Sequence, residues 1–234
     1  MSLIKKGIIA SEQIAIGKVK LMKKQKVKIS TEKISDEEIK LHVDKFEKAL
    51  NDYKTILSET KVDNDTQKQV IEAHLSMLDD PFLSESVISK INEHYSSDKA
   101  LTDTIDEMVV MMESLDNEYM RERASDYKDI GQQLLYKIKG IENQKLDSLE
   151  PNTILVSKEL TPYETSIIDK DNVVGFLMDL GGKTAHTSII AQTLGIACLV
   201  GMKDITENVK DSQTVIIDSF KGICIIDPDQ ETLL

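Results

Sequence analysis

One histidine in this chain, His186, stands among residue types suited to moving a phosphoryl group. It follows Gly181-Gly182-Lys183-Thr184-Ala185, and after it Ile189, Ile190 and Leu194 recur at helical spacing up to Gly195, where a helix C-cap glycine is expected. His186 therefore falls where loop becomes helix. The first N–H groups of a helix have no partner within it and carry the positive end of its dipole, so a phosphate placed there meets ready donors. Lys183 adds a full charge. Neutral imidazole, with a pKa of about 6.5, keeps one ring nitrogen free to attack near neutral pH. These features read His186 as a nucleophile that accepts a phosphoryl group. By spacing alone, a histidine beside glycines is also an ordinary loop or capping residue.

The elements that position it can be read from periodicity. Asn172 to Leu180 (NVVGFLMDL) is an apolar run bounded by the glycine pair, as a buried strand would be. Ile154–Val156, Ala197–Val200, Thr214–Asp218 and Gly222–Asp227 are further short apolar runs separated by turn formers or helical segments. At the other end of the chain, Gly7 to Met22 alternates and is rich in Ile and Val, predicting one or two strands with a turn near Gly17. Between these regions lies a helical block. Ser35 and Glu38 form a capping box, and Ile39, Val43, Phe46, Leu50, Tyr53 and Leu57 then follow at alternating steps of four and three. Further helices are predicted over residues 65 to 78, from Phe82 to Ile91, from Asp98 to Leu115 and from Tyr119 to Gly140, with Asp79-Asp80-Pro81 stopping the second.

The simplest topology is a discontinuous α/β domain, residues 1–30 plus 145–228, with an all-α helical-bundle domain, 31–144, inserted after its first strands. Residues 229–234 read as the start of a helix. The 234 residues carry a formal charge of -12, which disfavours a sequence-independent grip on nucleic acid and suits a basic protein partner. Cys198 and Cys224 have neither metal-ligand nor disulfide-framework spacing, and are expected to be reduced core residues. No apolar stretch approaches the length of a membrane span and no signal peptide opens the chain, predicting a cytoplasmic protein.

Residues 181 to 201 resemble the phosphohistidine motif of the phosphoenolpyruvate-utilising enzymes, with Gly181, Gly182, Thr184, His186, Ile189, Ala191, Gly195, Ile196, Val200 and Gly201 matching it. Lys183 stands for the commoner Arg, Ala185 for Ser, Gln192 for an Arg that would contribute a second cation, and Ala197 for Pro. The likeness extends further. GIIASEQIAIGKV near the start, DNEYMRERASDYKDIGQQLL from Asp116 to Leu135, and KELTPYETSIID from Lys158 to Asp169 are similar to segments of one branch, the enzyme I family of the bacterial phosphotransferase system. The chain resembles the N-terminal portion of that family nearly end to end.

The resemblance implies a swivelling phosphohistidine domain of α/β class carrying the helical insert. It implies that a C-terminal barrel, not contained in these residues, uses phosphoenolpyruvate and Mg2+ to phosphorylate His186, and that His186 passes the group to the phosphocarrier protein HPr. No cofactor is then expected for the half-reaction with HPr, and the chain is expected to be a monomer, with dimerisation belonging to the barrel. Thr165 matches a residue that orients the imidazole, while Thr161 and Glu164 also form a capping box. Gly181 and Gly182 would let the main chain approach the phosphate, and Lys183 and Thr184 would contact it. Glu72, Met77, Asp80, Leu83, Met112 and Arg123 match the HPr-binding surface, an apolar groove with acids at its rim. His74 reads as a surface or groove histidine, and His42 and His94 as helix-surface residues. Two alternatives are the swivelling domain of a pyruvate phosphate dikinase or phosphoenolpyruvate synthase, and a helical module that docks HPr without chemistry.

Overall fold

The computed structural model describes residues 3–61, 65–142, 146, 148–169, 171–182 and 186–232. The chain divides into two compact units, Met1–Lys24 with Gln144–Leu234, and Gln25–Asn143. The second begins ahead of the expected residue 31 because residues 25–34 are held by its helices. The Ser30 amide donates to the Asp98 carboxylate at 2.8 Å, and the Tyr136 hydroxyl to the Gln25 carbonyl at 3.3 Å. Burial alone would raise the Asp98 pKa, but its hydrogen bonds to Lys139 and the Ser30 amide bring it down to about 2.

In the first unit, β1 (Leu3–Lys6), β2 (Ile8–Ser11), β3 (Ile14–Met22), β4 (Thr153–Ser157), β5 (Val173–Met178), β6 (Ala197–Val200), β7 (Thr214–Asp218) and β8 (Ile223–Ile226) make one sheet in the order β1-β8-β7-β3-β4-β5-β6-β2. The run β3-β4-β5-β6 is parallel and the remaining pairs are antiparallel. β1 and β2 stand at opposite ends of that order, yet only Gly7 separates them in sequence. The sheet must therefore curl until its two ends meet at that residue. The Gly7 amide marks the seam by donating to the Gly222 carbonyl at 3.0 Å.

Alternation along the strands then makes two apolar layers. Ala15, Val19, Ile154, Val156, Leu177, Leu199, Val215 and Ile217 fill the inside, whereas Leu155, Phe176, Met178, Cys198 and Val200 lie in an outer cluster with Leu160, Ile168 and Ala191. Strands β4 to β6 read as unbroken apolar runs because both of their faces are covered. Cys198 and Cys224 belong to different layers, and burial pushes each thiol up to about 12. The turn expected near Gly17 does not exist. Gly17 lies inside β3, opposite Val215, and the chain bends at 12–13 instead. A glycine is there because the Asn152 carbonyl lies against it. At the other end, the amide and hydroxyl of Thr232 donate to the Asp229 carboxylate at 2.9 and 2.6 Å and residues 230–232 form a turn, while 233–234 of the expected helix start lie outside the described residues.

The second unit packs α1 (Ile39–Glu59), α2 (Asp65–Leu78), α3 (Pro81–Asn92), α4 (Ser97–Glu113) and α5 (Glu118–Lys139). The Ser35–Glu38 capping box forms, opening a short 3-10 turn that leads into α1. Asp80 caps α3 by accepting from the Phe82 amide at 2.9 Å, with Pro81 as the first helical residue, and Gly140, at φ 64°, ends α5. Phe46, Tyr53, Leu57, Leu83, Ile91, Leu101, Ile130 and Leu134 are buried between the helices. His42 has a role that the sequence did not assign it. Its Nδ1 accepts from the Ser97 amide at 3.0 Å and so caps α4, which requires the neutral ring.

His74 is not a surface residue either. It is fully buried, with Nδ1 3.4 Å from the Tyr53 hydroxyl and Nε2 3.9 Å from the Asp126 carboxylate. Burial, then the nearby Arg123 charge, lower its pKa from 6.5 to about 4. The folded chain thus binds fewer protons than the unfolded chain between these values. The stabilising contribution is complete above pH 6.5 and is lost as pH falls toward about 4. That gap corresponds to about 3 kcal/mol. Urea unfolding across this range should show a steep acid loss of stability in wild type and a much shallower one in His74→Gln; equal slopes would remove His74 as the cause.

Candidate functional site

The parallel strands β4, β5 and β6 send their carboxyl ends to one side of the first unit. From β4 the chain enters α6 (Pro162–Ser166), from β5 it enters α7 (His186–Leu194), and from β6 it enters α8 (Ile205–Asn208). The segment leaving β5 is braced on both flanks. The Asp179 and Leu180 amides donate to the carbonyls of Ser157 and Lys158 at 3.1 and 3.0 Å, while Leu180 and Asp179 accept from the Gly201 and Lys203 amides at 3.1 and 2.9 Å. The Asp179 side chain is buried and accepts from both the amide and the hydroxyl of Thr206 at the start of α8. The chain then turns at Gly181, whose φ of 93° suits glycine.

Next comes Gly182, whose carbonyl accepts from the buried Ser188 hydroxyl at 2.8 Å. Lys183 and Thr184 lie outside the described residues, as does the His186 side chain; the His186 main chain is the first residue of α7. The C-cap appears where the sequence placed it. Gly195 has φ 65°, and its amide and that of Ile196 bond the Gln192 and Ala191 carbonyls at 3.2 and 3.1 Å. Thr165 is buried on α6 with its hydroxyl donating to the Thr161 carbonyl at 3.1 Å, and the Thr161–Glu164 capping box is formed. Asp179 and Ser188 escaped sequence reasoning as parts of this site, and Gln192 entered it only as the place of a missing Arg. Their bonds reach main-chain groups or a distant threonine, which no local spacing announces. Gln192 is engaged with the Ala10 carbonyl at 2.6 Å, so its position is structural and is more than a missing cation.

In the second unit, the residues matched to a protein-binding surface divide. Glu72 is exposed and pairs with Lys68 at 3.7 Å. Asp80 lies against Tyr127, and Arg123 is close enough to His74 to depress its pKa, so Asp80, Arg123 and His74 gather where α2, α3 and α5 meet. Arg123 also donates from Nε to the Tyr119 hydroxyl at 3.0 Å. Met77, Leu83 and Met112, by contrast, are 4%, 0% and 9% exposed. They face the helical core and offer little surface, because their helices turn these positions inward. The exposed apolar residues nearby in sequence are Phe82, Val110, Met111, Leu115 and Tyr119. Among the described residues, no group of three His, Cys, Asp or Glu could hold a metal ion, and no helix is long and apolar enough to cross a membrane.

The chain matches the family profile described as PEP-utilising enzyme, N-terminal, over residues 6–123, and that of the PEP-utilising enzyme, mobile domain, over 149–222. Phosphoenolpyruvate-protein phosphotransferases are among its relatives. That of Staphylococcus carnosus is 35% identical over 236 residues, covering 97% of this chain and 40% of the relative. That of Staphylococcus aureus is 36% identical over 243 residues, covering 100% and 42%. That of Buchnera aphidicola subsp. Baizongia pistaciae is 37% identical over 235 residues, covering 97% and 40%. The chain thus spans about two fifths of the length of these relatives. An NMR solution structure of Enzyme I superposes with a TM-score of 0.89 at 36% identity, covering 98% of this chain and 95% of the other. A structure described as the N-terminal domain of Enzyme 1 - Nitrogen superposes at 0.62 with 18% identity, a likeness of fold alone. With both profiles in sequence order and a solved Enzyme I matched over nearly its whole length, the chain belongs to the PEP-utilising enzymes, in the enzyme I family.

Proposed function

We propose that His186 carries a phosphoryl group from phosphoenolpyruvate to HPr, as one step of a sugar phosphotransferase system. The observation that carries this reading is the main-chain position of His186. It opens α7 just past the braced Asp179–Gly182 segment, at the carboxyl end of β5, in a chain similar to enzyme I along nearly its full length. In the exchange with phosphorylated HPr, the distal imidazole nitrogen attacks phosphorus in line as the bond to the HPr histidine breaks. The proximal nitrogen retains its proton. The first amides of α7, with Lys183 and Thr184, stabilise the equatorial oxygens, Gly181 and Gly182 keep side chains out of the way, and Thr165 orients the ring.

Docking of HPr falls to the helical unit, with Glu72, Asp80 and Arg123 as polar contacts. The exposed Phe82, Met111 and Tyr119 take the apolar part assigned from sequence to Met77, Leu83 and Met112. Phosphoenolpyruvate and Mg2+ act through the part of the relatives that this chain does not span, and no described residue here is assigned to the metal. The role places the protein in the cytoplasm, with these residues monomeric and the full-length protein dimeric.

Mixing the chain with phosphorylated HPr, followed by an alkaline quench and intact mass measurement, should reveal one acid-labile phosphoryl group. Phosphoenolpyruvate with Mg2+ should add none by itself. Labelling that instead requires a nucleotide would make the chain a dikinase or synthase domain. Binding of HPr without any labelling would leave a docking module.

A further inference from the structure

Ser188 and Gln192 stand one turn apart on α7, and each donates out of the helix to a carbonyl of another segment. Ser188 reaches back to Gly182, on the loop that leads into the helix, at 2.8 Å, and Gln192 reaches across to Ala10 of β2 at 2.6 Å. A serine or threonine within a helix ordinarily bonds the carbonyl one turn behind it, as Thr193 does to Ile189 at 2.9 Å. Ser188 does not. The acceptor of Gln192 is equally particular. The pairing of β2 with β6 shifts register between Ile9 and Ser11, so Ala10 sits at a bulge whose residue is left out of the regular ladder. Its carbonyl is thereby available, and Gln192 takes it. Ala191, fully buried against the outer layer of the sheet, lies between the two attachments.

Resting on the reading of His186 as phosphoryl acceptor, we infer that Ser188 and Gln192 are positioning residues for the transfer, a two-point attachment that fixes where α7 starts and how it is aimed. One point ties the helix to its own incoming loop and the other ties it to the bulged strand. Position 192 therefore holds the helix in this chain, and the charge of the phosphoryl group is met without a cation from it. Loss of either tie frees a nine-residue helix to tilt about its other contacts. Small errors in the placement of a nucleophile are expensive in rate.

The test is rapid-quench transfer from phosphorylated HPr at several HPr concentrations, below the melting range of every variant. Ser188→Ala and Gln192→Met should each lower the limiting transfer rate about tenfold while leaving half-saturation by HPr unchanged. Gln192→Arg keeps an N–H donor at the end of the side chain and should recover most of the rate lost in Gln192→Met. A merely structural role would lower melting temperatures and leave the rates of folded variants alone. Wild-type rates in the Ala and Met variants, or equal slowing by Met and Arg, would overturn the inference. A wild-type chain that takes up no phosphoryl group would overturn the reading of His186, and this inference with it.

Discussion

His186→Ala is expected to take up no phosphoryl group from phosphorylated HPr while melting within about 2 °C of wild type. Position 186 is the first residue of α7, and alanine is the best helix former, so the substitution leaves the helix start intact. The ties that hold α7, from Ser188 to Gly182 and from Gln192 to Ala10, do not involve this side chain. The chain's three other histidines all belong to the helical unit. His74 is fully buried with Nδ1 beside Tyr53, and His42 spends Nδ1 on the Ser97 amide. His94 is half-exposed, with Nδ1 at the Ile34 carbonyl and Nε2 3.7 Å from Asp36, on the helical unit. Acid-labile label and thermal melts on the same samples check both halves of the expectation. Label that persists in the variant would move the chemistry to another histidine, and a collapse in melting temperature would leave the loss of label uninterpretable as chemistry.

The two halves of this expectation were not equally legible in the sequence. The histidine, its glycines and the helix that follows are local matters, set by residue type and by the spacing of Ile189, Ile190 and Leu194, with Gly195 taking the left-handed φ that ends a helix. The same holds for the Thr161–Glu164 box, for Asp80-Pro81 and for the apolar runs of β4 to β8. Features set by distant parts of the chain were hidden. Nothing local in residues 3–11 says that one segment will pair with β8 and then with β6 and so close the sheet. A histidine on an amphipathic helix reads as exposed until Tyr53 and Asp126, 21 and 52 positions away, are brought to it. Met77, Leu83 and Met112 were read as an apolar groove by their match to a binding surface, and the packing of five helices turned them inward. Within the site, the ties made by Ser188, Gln192 and Asp179 are all outside the reach of periodicity.

Gly17→Ala is expected to cost on the order of 4 kcal/mol of stability. Replacing a strand glycine by alanine ordinarily helps, by about 0.4–1 kcal/mol, because the unfolded chain loses freedom. Here the sign is reversed by main-chain crowding. A Cβ at Gly17 would stand 2.2 Å from the Asn152 carbonyl oxygen and 3.0 Å from Cγ1 of Ile154. The oxygen cannot retreat cheaply, since it accepts from the Lys18 amide at 2.9 Å and Asn152 is already held at φ 60°. Relief therefore requires β3 and β4 to part at the junction between the parallel and antiparallel halves of the sheet. Gly182→Ala provides the control for stability, because a Cβ there would meet none of the described residues within 4 Å. Urea unfolding of the three proteins decides the matter: a neutral or stabilising Gly17→Ala would mean that the strands can separate freely, and the steric account would fail. Since β3 carries no residue of the site, Gly17→Ala should still accept a phosphoryl group at temperatures where it remains folded, so its deficit should vanish on cooling, whereas that of His186→Ala should not.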